Sequence, residues 1–155
     1  MGMHCAIRAI KPSDAEHLLE DFDGGPPQRS VAVSLEKSWH GLHYLLTGSA
    51  MEGELPLAFL LQGGEAIGED DGYGPPRLFH ADEVQELHTA LSAISDDELW
   101  SRFDPDQMSA EGVYPDVWDE SEHDLREEYL TYFHEMKKVV KTANDTGLAL
   151  LVMLT

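Results

Sequence analysis

The sequence predicts an α/β fold: a single-domain, three-layer α/β/α sandwich whose mixed sheet contains both terminal strands. Three observations predict it. Apolar runs of strand length stand at both ends, "MHCAIRAI" and "LALLVML". Between them, segments with helical periodicity dominate. The 155 residues show no internal repeat, low-complexity tract or linker, so one domain over 1–155 is expected.

The elements follow in order. In Met3–Ile10, Cys5, Ile7 and Ala9 fall on one face at period two, which reads as a strand. In "PSDAEHLLEDF", Ser13 and Glu16 are spaced as a capping box, with Leu18, Leu19 and Phe22 as the apolar stripe. Turn chemistry at Asp23–Gln28 ends that helix. A second helix is predicted over Ser34–Gly48, with Ser34 as N-cap and Leu35, Trp39, Leu42, His43 and Leu46 at helical spacing. Leu57–Leu61 fits either a strand or a buried helical turn, and the glycines and prolines from Gly63 to Pro76 predict a long loop.

Further helices are predicted in "HADEVQELHTALSAI" and "SDDELWSRF", the second opening on a Ser95–Glu98 capping box. Asp104 before Pro105 is an N-cap with proline at the first helical position. The last helix carries one stripe, Leu125, Tyr129, Tyr132, Phe133, Met136, Val140 and Ala143. Acids crowd its start and Lys137, Lys138 and Lys141 its later turns, which suits the helix dipole. After Gly147, Leu148–Leu154 reads as a strand buried on both faces.

Thirty acidic against ten basic residues leave a formal charge of −20. Such a surface repels phosphate backbones and anionic lipid, so neither nucleic acid nor membrane is an expected partner. The charge has a bland reading, solubility, and a sharper one, a basic protein partner whose approach it would steer. The lone Cys5 permits no internal disulfide or thiolate metal cluster. No secretory leader or spanning run is visible, so a cytoplasmic location is expected.

Four segments in fixed order, "KSWHGLHYLLTG", "GGEAIGEDDGYGPPR", "RFDPDQM" and "YPDVWDE", resemble the YfbM-like family of bacterial proteins, whose function is unknown. The resemblance runs from the "MGM" start through the final strand and implies a three-layer α/β/α sandwich. It implies no activity. The segment between the first helix and the Trp-His motif is shorter here than the family pattern.

His40 and His43, three apart on a predicted helix, are the sharpest chemical candidates. One reading makes His43 a core histidine and leaves His40 at least half exposed. The other gathers Trp39, His40, His43, Glu65, Asp70, Asp71, Tyr73 and Arg77 in a pocket for a ligand or proton transfer. The Glu65–Asp71 carboxylates argue against phosphate in the glycine-rich loop, and an EF-hand spacing for calcium is absent. Arg77 is expected to pair with an acid there. No nucleophile elbow or zinc-protease pattern occurs, so no catalytic residue, metal ligand or cofactor is assigned. The leading expectation is a non-catalytic acidic binding protein with a basic protein partner, as an antitoxin or immunity protein has. A small enzyme or ligand-binding domain is the alternative.

Overall fold

The computed structural model describes residues 3–20, 31–68, 72 and 74–155. Five strands form one sheet: β1 (Cys5–Ile10), β2 (Val31–Glu36), β3 (Glu65–Ala66), β4 (Arg77–Phe79) and β5 (Ala149–Leu154). Their order is β2-β1-β5-β4-β3. The terminal strands β1 and β5 are central neighbours, and Ile7 lies opposite Val152. Every pairing among the described residues is antiparallel, so the expected mixed sheet is corrected. The reason is topological: a long helix returns the chain to the sheet alongside β1 but in the opposite sense.

Helices cover both faces, unequally. Helix α1 (Pro12–Glu20) packs Ala15 and Leu18 against Ile10, Leu78 and Leu151 on one face. On the other, Cys5, Ile7, Leu35 and Val152 join a larger core built with α2 (Trp39–Thr47), α3 (Ala81–Ser92) and α6 (Glu122–Thr146). Two short helices, α4 (Asp96–Trp100) and α5 (Pro105–Ala110), link α3 to α6. Their predicted caps are present: Ser95 Oγ accepts from Glu98 N–H and Asp104 Oδ1 from Gln107 N–H, both at 3.1 Å.

The first third differs most from its prediction. Helix α1 begins at Pro12, so Ser13 lies inside the first turn and Lys11 supplies the carbonyl that Ala15 N–H bonds. Leu19 faces outward, and Phe22 with the predicted Asp23–Gln28 turn lies outside the described residues. Ser34 caps nothing. It sits in β2, opposite Ala6, because Val31 and Val33 alternate in a way that suits pairing with β1 better than a helix start. A bulge at Cys5/Ala6 and the positive φ of Glu36 (50°) end the strand. The helix then starts at Trp39, after Ser38 Oγ donates to Leu35 O.

Eight of the nine residues of α2 are buried, so it is a core helix with no polar face. Gly48, at φ 83°, closes it as predicted. Leu57–Leu60 resolves into a 3-10 turn, the predicted glycine loop holds β3, and β4 follows it directly. The three residues of β4 are too few to show a period, and only pairing with β3 and β5 makes them a strand.

Candidate functional site

His40 is buried, not half exposed, and both of its ring nitrogens are engaged. Tyr114 N–H donates to Nδ1 at 2.9 Å, which leaves Nε2–H to donate to Ala50 O at 2.7 Å. The tautomer is fixed by its partners. Trp39 stacks on the ring with centroids 5.0 Å apart, and its own Nε1–H donates to Met3 O. Burial holds His40 below the usual histidine range, with the Ala50 carbonyl opposing. His40 is therefore a strut between α2, the chain after it and the Tyr114 loop.

His43 is fully buried as well, and its Nε2–H donates to Glu52 O at 2.9 Å. Its Nδ1 is buried with no hydrogen-bond partner among the described residues. Burial first, and then the neighbouring His40, push its pKa down. Of the two histidines, His43 is the one with an unused nitrogen.

The other described members of the predicted pocket lead elsewhere. Glu65 pairs with His80 Nε2 at 2.9 Å on the surface. Arg77 does not pair with an acid among the described residues: its guanidinium donates to the carbonyls of Leu60, Gln62 and Gly63, closing the 3-10 turn. No hydrogen bond joins any two of Trp39, His40, His43, Glu65 and Arg77. Asp70, Asp71 and Tyr73 lie outside the described residues. Cys5 is wholly buried and its thiol is pushed up to about 12, so it is no nucleophile at neutral pH.

A different surface gathers charge. Between the outer edge of β2 and the overhanging α6 runs an open trough of about 640 Å³. Ser34 and Glu36 form its sheet side; Asp124, Glu127, Glu128 and Glu135, with Tyr132 among them, form its helix side. A second depression, about 440 Å³, shares Glu36 and Glu128 with the first and continues to Glu120, His4 and Lys37. The carboxylates feel one another. Partial burial and then Glu120 raise the Glu128 carboxyl, while burial, Glu128, Glu36 and Glu135 raise the Tyr132 hydroxyl.

Few cations offset this. Glu36 meets His4 and Glu127 meets His123, each at 3.5 Å. Among the described residues, Asp124, Glu128 and Glu135 have no ion-pair partner. His123, Asp124 and Glu127 could offer ligand atoms within 4.8 Å of one another, but all three are exposed on the first two turns of α6.

Sequence reasoning missed the trough because it assigned the second half of β2, from Ser34, to a helix, which hid the sheet edge. It credited the acids of α6 to the helix dipole. A signal existed: Glu120, Asp124, Glu127, Glu128 and Glu135 recur at helical spacing beside the apolar stripe.

Fold and surface together define a small α/β sandwich that presents an acidic trough along one sheet edge. The model of a family described as "Domain of unknown function (DUF1877)" matches residues 1–153, and the chain belongs to that family. Its fold is similar to that of YfbM from Escherichia coli, described as a protein of unknown function. The two share 21% identity over 98% of this chain and 99% of that one, with a TM-score of 0.78. No functionally curated protein matches the chain. Among the described residues, no helix is long and apolar enough to cross a membrane.

Proposed function

We propose that the protein is a non-catalytic docking module for a basic segment of another protein, and that the trough between β2 and α6 is its recognition surface. The observation that carries this reading is the clustering of Glu36, Asp124, Glu127, Glu128 and Glu135 on the walls of one trough, two of which, Glu36 and Glu128, also line the neighbouring depression. Clustered like charges raise one another's pKa and destabilise the free protein, and a cationic partner relieves that repulsion. The net charge of −20 would speed the encounter, while the local cluster would set where it ends.

The test separates trough from bulk charge. The probe is a lysine-rich peptide, titrated by calorimetry at low and moderate salt. Reversing Glu128→Lys with Glu135→Lys is expected to weaken binding at least about tenfold, roughly 1.4 kcal/mol. Reversing the distant, exposed Glu16 and Asp82 changes net charge equally and should weaken it far less. Equal losses in the two double variants would reduce the interaction to non-specific attraction and refute the trough as a site.

A further inference from the structure

Among the described residues, β2 has a hydrogen-bonded neighbour on one side only, because the sheet order ends there. Among the described residues, nothing pairs with its outer edge. The opposite edge strand, β3, has two residues, whereas β2 has six, about 20 Å of strand. A long unpaired edge is a template for another strand. The trough meets this strand at Ser34 and Glu36 and has α6 as its other wall, so a strand added beyond β2 would pass beside it. Val31, at the start of the strand, is an apolar side chain that is 49% exposed.

We propose that the partner segment binds by strand addition, extending the sheet beyond β2 with its basic side chains turned up toward α6. This rests on the docking reading above and adds its backbone geometry. On an added strand, alternate side chains face one side of the sheet, so basic residues at every second position would meet Glu127, Glu128 and Glu135. The residues between them face the α1 side of the sheet edge, where β-branched apolar side chains suit an extended strand.

The same wall argues against a second copy of this chain as occupant. Pairing β2 with β2 would bring two acid-lined troughs together, with no cation supplied by either trough side on α6. Like charges brought together in an interface cost several kcal/mol, so the acids that attract a basic strand also block self-pairing.

The experiment uses a capped peptide of alternating lysine and valine, as long as β2, and two N-methylated versions of it. One is methylated at every lysine amide, the other at every valine amide. In an extended strand the two sets of amides point to opposite edges, so only one set can donate to β2. Strand addition predicts that the parent binds and that one methylated peptide binds about tenfold or more weaker, from the loss of several backbone hydrogen bonds. The other should match the parent, and the β2 amides should exchange more slowly in its presence. If the two methylated peptides bind alike, strand addition is wrong while charge-driven docking stands. If the parent does not bind, both readings fall together. Slowed exchange of the β2 amides at high protein concentration without peptide would assign the edge to a second copy and overturn the proposal.

Discussion

Replacing His40 by leucine should cost the fold about 3 kcal/mol, while the same change at His43 should cost less than about 1 kcal/mol. At His40 the substitution strands two backbone groups, the Tyr114 N–H and the Ala50 carbonyl. Each buried group left without a partner costs about 1–3 kcal/mol, and the leucine side chain returns part of that through its apolar area. At His43 only the Glu52 carbonyl loses a donor, and the unpartnered Nδ1 is removed along with it. Leucine also suits the apolar surroundings of α2. Urea unfolding of the two variants checks the contrast, and comparable losses would refute the assignment of His40 as the strut.

The same pair gives the pH dependence its sign. Both histidines are held below the ordinary value of 6.5, chiefly by burial. The unfolded imidazoles therefore take up protons before the native ones do as pH falls. Their contribution to stability is fully present above about pH 6.5 and declines through the window below it, toward the depressed native values. Wild-type stability should fall between about pH 7 and about pH 5, and His43→Leu should flatten that decline by removing one of the two groups. A pH dependence of the urea midpoint that is the same in His43→Leu as in the wild type would contradict the burial of a neutral imidazole at His43.

Gly41→Ala should destabilise the protein by about 2 kcal/mol, against the local preference of the chain. Alanine in a helix interior is favoured over glycine by about 1 kcal/mol, so propensity alone predicts a gain. The added Cβ would lie 2.5 Å from Tyr129 Cε2 and 2.8 Å from Trp118 Cη2. Neither ring can easily retreat: Trp118 is tied through Nε1–H to Val113 O, and Tyr129 is buried on α6. Overpacking of this kind costs about 1–3 kcal/mol, occasionally more. A higher melting temperature in the alanine variant would mean that α2 and α6 approach less closely than the structure shows.

What was legible in the chain was what local chemistry decides. The caps at Ser95, Asp104 and Gly48 act where they were expected, because a cap depends on a few adjacent residues. The long stripe of α6 and the strand character of both termini were also plain, since each is a sustained period. The family resemblance, which rests on four ordered motifs, and the α/β sandwich also hold.

The sequence by itself therefore determined the α/β class, the terminal strands, most of the helices and the excess of acid. Only the tertiary structure decided that Val31–Glu36 is an edge strand, that Arg77–Phe79 pairs with β5, and that all described pairings are antiparallel. It left His43 in the core, as one reading expected, but buried His40 with both ring nitrogens engaged, because a ring nitrogen's partner comes from residues as far away as Tyr114. The acidic trough exists only because α6 lies over the β2 edge and brings Glu36 near Glu128 and Glu135. Local periodicity records which way a side chain points on its own element. Which distant side chains share a space, and therefore share an electrostatic field, is fixed by packing.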